Sequence, residues 1–114
     1  MPLGGVAQGV GQILGEQVVW DRDSGQLLTA SFQDYYMPKA GLVPNVHLED
    51  HPSPSPTNPL GVKGAGEAGT TGALATLMNA ILDALRPEGV THLDMPASAF
   101  RVWQALQEAP PEPA

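Results

Sequence analysis

An α+β fold is predicted for this chain by three features. Apolar residues recur at spacings of three and four in separate stretches, two short β-prone runs flank a polar turn, and glycine and proline are abundant. The 13 glycines and 12 prolines among 114 residues are about twice the usual share of roughly 12%, so loops and extended segments should separate the regular elements. The length suits one small domain, over residues 1–107, with a Pro-rich and disordered tail over 108–114. A hydrophobic content of 42% allows a modest core.

The first element is a helix from Val6 to Val18, where Val6, Val10, Ile13, Leu14 and Val18 fall on one face. Gly5, Gly9, Gly11 and Gly15 weaken it by up to ~1 kcal/mol each relative to Ala, so its surroundings must hold it. Small residues also let another backbone or a ligand come close. Next, Gln17–Trp20 and Gln26–Ala30 flank Asp21-Arg22-Asp23-Ser24-Gly25, which reads as a β-hairpin with a turn of carboxylates and glycine. Phe32 to Pro44 has no clean period and is read as irregular. A short strand follows at Val46-His47-Leu48-Glu49, and Pro52 to Pro59, with four prolines, is a polyproline-like run.

The clearest helix begins near Thr70 or Thr71, whose hydroxyls are candidate caps, and places Leu74, Leu77, Met78, Ile81, Leu82 and Leu85 on one stripe. Pro87 and Gly89 end it. An extended piece, Thr91 to Met95, leads to Ser98, the cap of a terminal helix that packs through Phe100, Trp103 and Leu106. The apolar stripes are more than so small a chain can bury alone.

Twelve acidic residues against five basic give a net charge of −7, which argues against nucleic acid and anionic membranes as partners. With no cysteine, the segment holds neither a disulfide nor a thiolate-ligated zinc or iron–sulfur site. No apolar run approaches the ~20 residues a bilayer requires, and Met1 to Gly5 lack a basic leader region; no membrane insertion and a cytoplasmic location are expected. His47, His51 and His92 lack metal-ligand spacing apart from the His47/His51 pair, which lies in an extended segment where four residues do not share a face, so no metal ligand is assigned.

Lys63-Gly64-Ala65-Gly66-Glu67-Ala68-Gly69 is the segment that can carry chemistry. Its glycines let backbone N–H groups approach a ligand just before a helix starts, where the dipole adds partial positive charge. Glu67 has no bulky neighbour in sequence and can exchange protons with a substrate. Two other readings stand beside this one. The glycines can form only a tight loop with a solvated Glu67, or Gly64-x-Gly66-x-x-Gly69 can serve as a dinucleotide fingerprint, although the buried strand which that motif must follow is missing.

Asn58-Pro59-Leu60-Gly61-Val62-Lys63-Gly64-Ala65-Gly66-Glu67-Ala68-Gly69, the helix after it, and Met95-Pro96 with Arg101-Val102-Trp103 resemble the C-terminal end of molybdenum hydroxylase large subunits, the xanthine dehydrogenase and aldehyde oxidase family. Gly4-Gly5-Val6-Ala7-Gln8-Gly9-Val10-Gly11-Gln12, the hairpin, and Asp34-Tyr35-Tyr36-Met37-Pro38 extend the resemblance over nearly the whole chain. It implies the C-terminal part of the second molybdopterin-binding domain, with a Gly-rich cofactor loop and packed helices. It also implies an oxidoreductase in which Glu67 is the general base at the molybdenum centre, acting on an aldehyde, an N-heterocycle or a carbon monoxide-like substrate with water as the oxygen source. Gln8, Gly9, Lys63, Gly64, Ala65 and Gly66 would contact the molybdenum-pterin cofactor, expected as molybdopterin cytosine dinucleotide. The metal is then held by the pterin and needs no protein ligand from this chain.

Family large subunits run to several hundred residues, so the remaining part of the large subunit is an expected partner, together with iron–sulfur and flavin (FAD) chains. The isolated chain is expected to be inactive. A truncated remnant or a partner-binding assembly fragment, with Glu67 out of use, is the alternative.

Overall fold

Proline lacks an N–H and presets a helical φ, so it suits the first turn of a helix, and the chain's first helix starts there. The computed structural model describes residues 1–43 and 45–109. Helix α1 spans Pro2–Leu14, α2 spans Ala68–Leu85, and α3 spans Ala99–Glu108; single 3₁₀ turns occupy Ala40–Leu42 and Arg86–Glu88. Relative to the sequence expectation α1 is shifted towards the N-terminus. It takes in Pro2 to Gly5 and stops before Gly15, whose φ of −171° lies outside the helical range.

The packing lies around α1. Its glycines meet α2 on one side, and the Tyr36–Pro38 segment covers another. A Cβ at Gly11 would stand 2.9 Å from the Pro38 Cδ, and one at Gly15 would enter the Tyr36 ring. The Glu16 carboxylate beside Tyr35 raises the phenol's pKa above its ordinary value. The C-terminal part joins through Ala97, whose N–H donates to the Ile13 carbonyl at 2.6 Å. Val10, Ile13, Ala73, Leu85, Val90 and Ala97 form the buried core.

Several local signals act as expected. Arg86–Glu88 with Pro87 follows α2, and Gly89 closes it at φ +83°. Ser98 caps α3, its Oγ accepting from the Arg101 N–H. Others do not. The threonines at the start of α2 donate rather than cap: Thr70 Oγ1 to the Gly5 carbonyl and Thr71 Oγ1 to the Glu67 carbonyl, each at 3.0 Å. The helix begins earlier, at Ala68, with Glu67 in the cap position.

The α+β expectation needs correction at its β part. The hairpin is reduced to one antiparallel bridge, Trp20 to Leu27, held by Asp21 N–H to the Gln26 carbonyl and Leu28 N–H to the Val19 carbonyl. The strand expected at Val46–Glu49 does not form, and among the described residues there is no extended sheet. Two paired segments without a third partner are marginal, and none of the described residues supplies that partner. The terminal helix likewise does not bury its apolar stripe: Phe100 is 67% and Trp103 56% exposed, their rings meeting at a 31° tilt with centroids 5.9 Å apart. Of the expected tail, Glu108 closes α3 and residues 110–114 lie outside the described part.

Candidate functional site

Helices can approach backbone to backbone only where side chains are missing, and the α1–α2 seam meets that requirement at three glycines. A Cβ at Gly5 would stand 2.8 Å from the Thr70 backbone nitrogen, one at Gly9 would stand 2.5 Å from the Ala73 Cβ, and one at Gly69 would overlap the Pro2 carbonyl. Residue numbers rise together along the seam, so the two helices run parallel and their N-termini lie at the same end. The Thr70 hydroxyl bond to Gly5 pins this end. Free N–H groups and partial positive charge therefore collect there from both helices.

The loop leading into α2 is fixed from its other side. The Asn58 carboxamide donates to the Val62 carbonyl at 3.0 Å and accepts from the Val62 N–H at 3.2 Å. Gly61, at φ +65°, makes the reversal that an L side chain would resist, and its carbonyl accepts from the Ser55 N–H at 2.9 Å. Lys63 Nζ reaches Ser53 Oγ at 3.4 Å. Beyond Lys63 the chain opens: a Cβ at Gly64 or Gly66 would meet nothing within 4 Å.

Glu67 stands at the junction, exposed, in the cap position of α2 and with no capping hydrogen bond from its side chain. Lys63, Gly64, Ala65 and Gly66 are exposed beside it in the chain, and Gln8 is exposed on α1. Gly9, in contrast, is buried against Ala73, and its place in the structure is helix packing. Sequence reasoning gave Asn58 no role. Its signal was an asparagine before proline with glycine three residues on, the composition of a side-chain-stabilised turn.

These residues suit an oxygen-rich, anionic organic cofactor. Among the described residues, the N–H groups of Gly64, Ala65 and Gly66 have no hydrogen-bond acceptor, no Cβ blocks approach at either glycine, and a lysine is adjacent. The donor set is made of amides and one cation. No cluster of three His, Cys, Asp or Glu side chains able to hold a metal ion occurs among the described residues. The glutamate pairs with histidine elsewhere: Glu49 lies 3.0 Å from His47 and 3.5 Å from His51 in an exposed segment.

Residues 3–44 match the family model of a molybdopterin cofactor-binding domain. Over 92% of its length the chain is 38% identical to the carbon monoxide dehydrogenase large chain of Hydrogenophaga pseudoflava. The chain belongs to the molybdenum hydroxylase large-subunit family. The nicotine 6-hydroxylase large subunit of Paenarthrobacter nicotinovorans is 40% identical over 91% of the chain. The chain spans about 13% of the length of these curated relatives. Its fold is that of the corresponding part of quinoline 2-oxidoreductase from Pseudomonas putida 86, with a TM-score of 0.84 and 38% identity over 94% of this chain and 14% of that one. The Cu,Mo-CO dehydrogenase in its carbon monoxide reduced state is similar at a TM-score of 0.82 and 31% identity, over 94% of this chain and 13% of that one.

Proposed function

We propose that this chain lines the molybdenum-pterin pocket of a molybdenum hydroxylase and that Glu67 is the proton acceptor of the reaction. The observation that carries the reading is the setting of Glu67: an exposed carboxylate without a capping bond, next to a glycine loop open to a ligand and at the shared N-terminal end of two parallel helices. The cofactor, when bound, supplies the two-electron acceptor and the oxygen that enters the product. The chain's own groups do the rest. Backbone N–H groups of Gly64, Ala65 and Gly66 and the Gln8 carboxamide hold the cofactor's polar edge. Lys63 adds positive charge beside it, and Glu67 takes up a proton as the substrate is oxidised and returns it to solvent.

The substrate class is an aldehyde, an N-heterocycle or carbon monoxide, in keeping with the relatives named for carbon monoxide and nicotine. The cofactor is taken as the cytosine dinucleotide form. The partners are the rest of the large subunit and chains carrying iron–sulfur clusters and flavin, in a cytoplasmic assembly. None of the described helices is long and apolar enough to cross a membrane.

Co-production with a polypeptide that supplies the rest of the large subunit provides the test, with dye reduction measured per bound molybdenum. Glu67→Gln keeps the size and the neutral hydrogen-bonding edge but removes the base, and turnover should fall at least ~100-fold with molybdenum retained. Undiminished turnover would remove Glu67 from the chemistry. Failure of the two polypeptides to copurify would favour the remnant reading.

A further inference from the structure

Glycine loops bind ligands well only if something outside them fixes their direction, because Gly64 and Gly66 themselves restrain little. At the far end the restraint is the Thr70 bond to Gly5. At the near end, beside the longer Lys63 Nζ contact to Ser53 Oγ, the Asn58 carboxamide engages both polar groups of Val62, donating to its carbonyl and accepting from its N–H. Val62 is itself 62% exposed, so side-chain packing does not hold it. Around the clasp, Gly61 N–H donates to the Asn58 carbonyl at 3.1 Å and Ser55 N–H to the Gly61 carbonyl at 2.9 Å. Pro54 crowds a side chain at Gly61, where a Cβ would stand 3.0 Å from the Pro54 Cβ.

We propose that Asn58 is a positioning residue: by clasping the Val62 peptide it sets the course of the Lys63–Gly66 loop and with it the place of the Glu67 carboxylate. This rests on the reading of Glu67 as proton acceptor for its catalytic consequence, though not for the clasp itself. Only an amide serves fully here. Aspartate keeps the acceptor for the Val62 N–H but turns an oxygen towards the Val62 carbonyl, and alanine leaves both groups of Val62 without a protein partner.

The experiment uses the chain assembled with the rest of its large subunit and cofactor, in wild-type, Asn58→Asp, Asn58→Ala and Glu67→Gln forms. Residue-resolved hydrogen exchange reports the clasp. The Val62 N–H should be protected in wild type and exchange about tenfold faster or more in Asn58→Ala, with faster exchange also through Gly64 to Glu67. In Asn58→Asp the Val62 N–H should keep an intermediate protection. Steady-state kinetics report positioning: kcat per bound molybdenum should fall about tenfold or more in both variants while KM stays within about twofold, as expected for a misplaced reacting group.

A general loss of structure would instead lower molybdenum content and leave kcat per molybdenum unchanged. That pattern overturns the proposal, as does an unprotected Val62 N–H in wild type or equal exchange in wild type and variants. If Asn58→Ala does not assemble, Asn58→Asp carries both readouts. Should Glu67→Gln retain turnover, the proton-acceptor reading fails by itself, and exchange at Val62 still decides whether Asn58 fixes the loop.

Discussion

At Gly9 the absence of one methyl group decides how near two helices lie. A Cβ there would stand 2.5 Å from the Ala73 Cβ, whereas one at Gly4 would meet nothing within 4 Å. Gly9→Ala should therefore destabilise by about 1–3 kcal/mol through overpacking, and Gly4→Ala should be neutral or stabilising by up to ~1 kcal/mol through helix propensity. Chemical denaturation of the assembled protein compares the two; equal effects would contradict the seam. Asp21 gives a pH-dependent counterpart. The Ser24 hydroxyl donates to its carboxylate at 2.7 Å and the Asp23 N–H at 3.2 Å, and these bonds lower its pKa below the ordinary aspartate value. Because the folded value lies below the unfolded one, the contribution is present above the unfolded value and is lost as pH falls through the folded one. Ser24→Ala should move the Asp21 titration upward towards that of a free aspartate, as followed by carboxyl NMR. An unmoved titration would show that the hydroxyl is not the cause.

Among the elements, stability at two helix starts depends on one hydroxyl each, used in opposite senses. Ser98 accepts from the Arg101 N–H and Thr70 donates across to α1. Ser98→Ala and Thr70→Val should each cost about 1 kcal/mol, but only Thr70→Val should loosen α1, which hydrogen exchange along Pro2–Leu14 detects. This contrast also explains what the sequence could reveal. Ser98 before an amphipathic run, and Pro87 with Gly89 after one, act within a few residues and were legible. So was the glycine loop ahead of α2. The bond from Thr70 reaches a carbonyl 65 residues away, which no local pattern encodes, and Thr70 was therefore misread as a cap. The hairpin around Asp21 had the right turn and the right β-prone flanks, but a ladder also needs further strands, and its own sequence does not say whether they are present. Asn58 was overlooked because its partner, Val62, contributes backbone groups alone.

For the molecule as a whole, surface is in excess. The accessible area is 8843 Å², against roughly 5,900 Å² for a compact monomer of this mass. The radius of gyration is 18.4 Å, against about 13 Å expected for the length. Both large aromatic anchors share in this excess: Trp20 and Trp103 are each 56% exposed. They are the only tryptophans, so fluorescence reads them cleanly. Emission of the free chain should lie near that of water-exposed indole and shift to shorter wavelength when the chain joins the rest of its large subunit. An unchanged spectrum on assembly would mean that other surfaces carry the contact.

The long reach between Thr70 and Gly5 also orders events during synthesis. Helix α1, diluted by glycine, is a poor helix on its own, and the residues that close its seam are made about 65 positions later. At about 5–20 residues per second the ribosome needs roughly 3–13 s to deliver them. During that interval the glycine-rich α1 segment waits in the nascent chain without its partner, and the end of the seam beside Glu67 is completed only when α2 emerges.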